Sequence, residues 1–174
     1  MNTANKLTIL RVILIPVFLI ILYIDFPFCN WVALAIFILA SVTDTVDGYV
    51  ARHYNQVTNF GKFMDPLADK VLVMSAMCWF VGNGQMSAWV LATVLLREFA
   101  ISGMRLVAVE QGKVIAAAWS GKVKTAATMV CLCFMLGFNV YWLNIVCQAV
   151  ILVTSGYSGA EYLLKNKSVF MTVR

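Results

Sequence analysis

All thirteen lysines and arginines fall into four groups separated by long apolar stretches. Lys6 and Arg11 stand near the start, and Arg52, Lys62 and Lys70 surround a first polar break. Arg97, Arg105, Lys113, Lys122 and Lys124 surround a second, and Lys165, Lys167 and Arg174 end the chain. Three other breaks, around Asp25-Phe26-Pro27, Gly82-Asn83-Gly84 and Phe138-Asn139, carry no basic residue. Basic residues mark the cytosolic ends of membrane-spanning helices. The alternation therefore predicts an all-α integral membrane protein with six transmembrane helices and both termini cytosolic. Helices are expected over about 9–24, 31–52, 60–82, 86–110, 115–137 and 142–164. Each is long enough to cross about 30 Å of hydrocarbon at roughly 1.5 Å per residue. Residues 1–8 read as a short interfacial segment, and the whole chain as one domain. An apolar content of 62% and a mean hydropathy of +0.87 exclude an ordinary soluble protein. The first apolar run lacks a small-residue cleavage site after it, so it reads as a retained helix rather than a secretory signal.

Against that background the acidic residues are conspicuous. Four of the five aspartates, Asp44, Asp47, Asp65 and Asp69, lie within 26 residues. A carboxylate at the centre of a membrane helix costs about 2.5–3.5 kcal/mol or more, so four need a purpose. Asp44 and Asp47 are spaced i, i+3 and Asp65 and Asp69 i, i+4, which puts each pair on one face of its helix. If the two helices form a hairpin, all four carboxylates converge. Two divalent cations would compensate them. Oxygen donors without thiolate or imidazole favour Mg²⁺, Mn²⁺ or Ca²⁺ over Zn²⁺. The alternative is ion pairing with Arg52, Lys62 or Lys70, which leaves four acids against three bases. Asp44 and Asp69 are expected about 12–14 Å inside the cytosolic edge, in a cavity open to water and, sideways, to lipid.

The residues D-T-V-D-G-Y-V-A-R, then eight others, then G-K-F-M-D-P-L-A-D fill every fixed position of a known signature. On it the chain resembles the CDP-alcohol phosphotransferase family. N-K-L-T-I-L-R near the start, L-R-E-F-A-I-S-G-M-R at 96–105 and G-K-V-K-T at 121–125 extend the similarity to one branch, the bacterial phosphatidylglycerophosphate synthases. The resemblance implies transfer of a phosphatidyl group from CDP-diacylglycerol to sn-glycerol 3-phosphate, with CMP released. It implies Asp44, Asp47, Asp65 and Asp69 as ligands of two divalent cations, Mg²⁺ or Mn²⁺. Asp69 is also implied as the catalytic base that takes the proton of the attacking hydroxyl. Asn5, Thr8 and Thr58 align with positions that hold the CDP-diacylglycerol, although Ala4 stands where the family has proline. Arg52 suits the pyrophosphate through its planar fork; otherwise it is an interfacial arginine. Gly48 and Gly61 permit close approach of the nucleotide or of a neighbouring helix. A homodimer in the inner (cytoplasmic) membrane, with the active site facing the cytosol, is the family's usual state.

For the acceptor, the candidate glycerol-phosphate-binding residues are Arg105, Lys122, Arg97 and Lys124. Arg97 and Glu98 fall mid-membrane, where an Arg97–Glu98 or Glu98–Arg105 pair is the competing reading. Lys122 and Lys124 point about 200° apart on a helix. The tract S-G-Y-S-G-A at 155–160 has small-xxx-small spacing suited to helix packing. Other acceptors within the family are serine, inositol phosphate or phosphatidylglycerol. A cation transporter is the alternative of another class, opposed by carboxylates confined to one side of the membrane. The net charge of +5 is accounted for by the cytosolic asymmetry and membrane lipids; no nucleic-acid partner is expected. The five cysteines show no C-x-x-C spacing, and disulfides are not expected.

Overall fold

The structure is a computed structural model that describes the backbone of residues 3–24, 26–53, 59–112 and 118–167. Within that backbone, the side chains of 3–8, 44–53, 59–63, 65 and 66 lie outside the described residues. Among the described residues there are six helices and no strand: α1 (Thr3–Tyr23), α2 (Cys29–His53), α3 (Asn59–Gly82), α4 (Ala88–Glu110), α5 (Trp119–Gly137) and α6 (Tyr141–Lys165). Their order and polar breaks follow the expected pattern. The first helix begins at Thr3, so residues 3–8 continue α1 without a separate start. No glycine or proline intervenes there to stop it. The third helix runs through Pro66 as one element.

Two compact units are formed, one by residues 1–83 with 136–139 and the other by 84–135 with 140–174. In the first, α1 packs against α2 and α3. The turn between α1 and α2 places Phe28 at a φ of 69°, and the Cys29 amide donates to Phe26 O at 3.1 Å. Arg11, Ile15, Phe18 and Leu22 form the buried stripe of α1; Ala33, Phe37 and Ala40 form that of α2. The rings of Phe18 and Phe37 meet with centroids 5.8 Å apart. On antiparallel helices the same three-and-four spacing carries Ile15 to Ala40 and Arg11 to position 44. Helix α3 adds Ala68, Leu72, Ala76, Met77 and Phe80 to this core. Trp31 meets Phe138 edge-on at 5.9 Å, which fastens the 136–139 segment to the start of α2.

In the second unit α4 packs on α6. The buried residues Asn144, Cys147, Ile151, Ser155, Ser158 and Tyr162 recur every three or four positions along α6. At its first end Gln148 accepts from the Ser87 amide at 2.7 Å and donates to Gln85 O and Asn144 O at 3.1 Å. Ser87 Oγ in turn caps α4 by accepting from the Trp89 amide. At the other end of α4, Gly112 adopts a φ of 70° just past the last turn, a left-handed conformation that glycine takes without strain.

Among the described residues, one helix, Tyr141–Lys165, is long and apolar enough to cross a membrane by itself; Ile9–Tyr23 and Cys29–Thr43 are shorter apolar stretches. The expected six helices are found, and of the described residues one helix alone has the length and apolar character of a span; charged residues stand within four of the others. Asp44, Asp47 and Arg52 interrupt α2, Lys62, Asp65, Asp69 and Lys70 interrupt α3, and Arg97, Glu98 and Arg105 interrupt α4. Lys122 and Lys124 do the same near the start of α5.

Candidate active site

The aspartates lie on helical backbone, as their spacing requires. Asp44 and Asp47 occupy the second half of α2, and Asp65 and Asp69 the first half of α3. The two helices touch and are separated by five residues of chain. A connection that short between long, touching helices leaves them antiparallel, so both carboxylate-bearing segments belong to the same end of the hairpin. Of the four side chains, Asp69 alone is described; it is half-buried, one position after the buried Ala68. Those of Asp44, Asp47 and Asp65 lie outside the described residues, as do Gly48, Arg52, Gly61, Asn5 and Thr8 beyond their helical backbone. Thr58 lies outside altogether. Among the described residues no group of three or more metal-binding side chains is found. The donor chemistry fits divalent cations nonetheless: from Asp44 to Asp69 the chain offers four carboxylates, no thiol and a single imidazole, His53 at the end of α2.

Arg11 belongs to the first group of basic residues, near the start of the chain. In the fold it lies a little over two turns into α1 and is fully buried, on the same stripe as Ile15, Phe18 and Leu22. Arg11 is thus a buried positive charge within the same compact unit as the aspartates. The signal was present in the sequence. Arg11 shares the spacing of Ile15, Phe18 and Leu22, which makes it a member of the buried stripe.

The second unit holds a separate ionic cluster. Arg97 Nη1 donates to Glu98 Oε1 at 2.7 Å, and Lys124 Nζ donates to the same oxygen at 2.9 Å. Arg97 Nη2 donates to Ser158 Oγ at 2.7 Å. All three charged side chains are at most 14% exposed. One carboxylate thus serves two buried cations and leaves a net positive charge. The Arg97 side chain runs over two glycines, where a Cβ on Gly121 would come within 3.2 Å of Nη2 and one on Gly159 within 3.3 Å of Cγ. So the tract at 155–160 does serve packing, and what it packs against is an arginine. Ser158, Gly121 and Gly159 escape a sequence reading because their partner is some sixty or more than twenty positions away.

Arg105 and Lys122 are placed differently. Both are exposed, on the last part of α4 and the first turn of α5. Arg105 Nε donates to Tyr162 Oη at 3.1 Å, and its Cζ lies 5.7 Å from the centroid of that ring. The structure therefore separates the four acceptor candidates into an internal pair, Arg97 and Lys124, and an exposed pair, Arg105 and Lys122.

Comparison with known proteins adds a decisive match: the model of the CDP-alcohol phosphatidyltransferase family covers residues 1–156. The chain belongs to the CDP-alcohol phosphatidyltransferase family. Curated members are similar over most of their length. A Bacillus subtilis (strain 168) protein named CDP-diacylglycerol–glycerol-3-phosphate 3-phosphatidyltransferase is 43% identical, the match covering 79% of this chain and 78% of that one. Proteins of the same name from Salmonella paratyphi A and Shigella flexneri serotype 5b are 44% and 43% identical. Those matches cover 82% and 88% of this chain, and 81% and 87% of theirs. The CDP-alcohol phosphatidyltransferase match takes in both the aspartate hairpin and the Arg97–Glu98–Lys124 cluster.

Proposed function

We propose that this chain transfers the phosphatidyl group of CDP-diacylglycerol to sn-glycerol 3-phosphate, giving phosphatidylglycerophosphate and CMP. The observation that carries this reading is the 43–44% identity, over about four-fifths of the chain, to enzymes bearing that name. Asp44, Asp47, Asp65 and Asp69 hold two divalent cations, Mg²⁺ or Mn²⁺. When bound, these would polarise the phosphoryl group and stabilise the departing CMP oxygen. The free hydroxyl of the acceptor attacks the phosphatidyl phosphorus, the bond to CMP breaks, and Asp69 takes the hydroxyl proton. Arg52, Gly48, Gly61, Thr58, Asn5 and Thr8 hold the CDP-diacylglycerol; Arg52 pairs with its pyrophosphate. Arg105 and Lys122 meet the acceptor's phosphate, and Arg97 and Lys124 add net positive charge on the same helices.

The protein acts within the inner (cytoplasmic) membrane of a bacterial cell, with six helices spanning and both termini and the active site cytosolic. Basic residues confined to alternate breaks support that orientation. Large apolar side chains such as Trp89, Leu96, Phe99, Val153 and Leu164 are exposed and suit a lipid surround. A homodimer is part of the same reading. The test is CMP release by purified protein from CDP-diacylglycerol, with glycerol 3-phosphate, serine, inositol phosphate or phosphatidylglycerol offered singly. Release is expected with glycerol 3-phosphate. Preference for another alcohol would move the chain to a different branch of its family, and no release with any would remove the assignment.

A further inference from the structure

Arg105 and Tyr162 meet in a way that the acceptor reading does not by itself require. Tyr162 is the last buried residue of α6, 2% exposed, packed with Ile101, Met104 and Ala108 of α4. Its carbonyl is fixed as well, because the Asn166 amide and Asn166 Nδ2 both donate to it, at 3.2 and 2.9 Å. Ring and backbone are therefore held on both sides. Onto this fixed ring Arg105 places its guanidinium, 5.7 Å from the centroid, with Nε bonded to Oη at 3.1 Å. Among the described residues Tyr162 is the one partner of that guanidinium. A guanidinium has five N–H donors in a rigid fork. With Nε engaged, the two terminal nitrogens remain, and they form the edge that binds phosphate oxygens side by side. An exposed arginine otherwise samples many rotamers and loses that freedom on binding. Here the restriction is in place before any ligand arrives.

We infer that Tyr162 is a positioning residue for acceptor binding, presenting the terminal edge of Arg105 to the phosphate of glycerol 3-phosphate. The inference rests on the reading of Arg105 as an acceptor contact, and the test separates the two. Arg105→Ala, Tyr162→Phe, Tyr162→Leu and the double variant Arg105→Ala/Tyr162→Phe are purified, and KM is measured for each substrate. Tyr162→Phe keeps the packed ring and removes only Oη. It should raise the KM for glycerol 3-phosphate on the order of five- to tenfold, the scale of one hydrogen bond to a charged group. Its kcat and its KM for CDP-diacylglycerol should stay within about twofold of wild type. Tyr162→Leu should raise the acceptor KM further, because the ring face is lost too. In the double variant the phenylalanine should add nothing to the effect of Arg105→Ala, since the group it positions is absent.

Three results would overturn the inference. A silent Tyr162→Phe beside an impaired Arg105→Ala would show that Tyr162 only packs, and would leave the acceptor reading standing. Additive effects in the double variant would show that Tyr162 acts without Arg105. A wild-type acceptor KM for Arg105→Ala would remove both readings together.

Discussion

Glu98→Gln removes the charge that two buried cations share, and its cost can be worked from the cluster. Arg97 keeps a second acceptor in Ser158 Oγ at 2.7 Å. Lys124 does not: among the described residues Glu98 is the one acceptor of its ammonium, and the residue is 4% exposed. Breaking a buried ion pair by removing one partner costs about 3–5 kcal/mol, because the other charge stays buried. The glutamine amide oxygen can still accept one of the two bonds, which moves the expected loss to the lower end, about 3 kcal/mol. The stability of the double variant Glu98→Gln/Lys124→Met should lie above that of Glu98→Gln alone, since no unpaired charge remains. Equilibrium unfolding in mixed micelles of increasing SDS fraction, followed by tryptophan fluorescence, reads both differences. Glu98→Gln within about 1 kcal/mol of wild type would show that the carboxylate does not neutralise this pair. A double variant less stable than Glu98→Gln would say the same.

Three other outcomes follow from the hairpin and the topology. Asp69→Asn should leave the protein folded and inserted while CMP release disappears; turnover at the wild-type rate would exclude both its proposed roles. Chelation should abolish transfer and Mg²⁺ or Mn²⁺ should restore it, whereas chelator-resistant CMP release would exclude the divalent cations. Single cysteines at Asn83 or Asn139, in a cysteine-free background, should react with an impermeant thiol reagent added to the outside of intact spheroplasts, and one at Asn55 should not. Labelling at Asn55 from outside would invert the orientation.

What the sequence carried well was whatever depends on neighbours along the chain. Helix ends fell near the Asp25-Phe26-Pro27 and Gly82-Asn83-Gly84 breaks, because proline and glycine act on the local backbone. The aspartate pairs lie on helices whose 3.6-residue repeat brings each pair to one face. Residues 3–8 were less legible: T-A-N-K-L-T has neither apolar periodicity nor a breaker, so α1 simply continues through it. The Arg97–Glu98 pairing is visible between adjacent residues. That Lys124 joins the same oxygen, or that Ser158 takes the other arginine nitrogen, is a property of how α4, α5 and α6 pack and has no local signature. Arg105 and Arg97 look alike in sequence, and only tertiary burial tells the exposed fork from the enclosed one.

The two glycines beneath Arg97 set a limit on how this chain can be stabilised. Alanine is a better helix former than glycine by about 1 kcal/mol in a helix interior, so each glycine of α6 looks like an opportunity to a protein engineer. Gly156 is one, because a Cβ there meets nothing within 4 Å. At Gly159, one turn further along, the same methyl would press on Arg97 Cγ, and at Gly121 on its terminal nitrogen. The arginine would have to yield by a few tenths of an ångström and drag Glu98 and Lys124 with it. Thermostability and activity should therefore rise together or part company according to which glycine is replaced, and selection for heat resistance alone would wear away the ionic cluster first at these two positions.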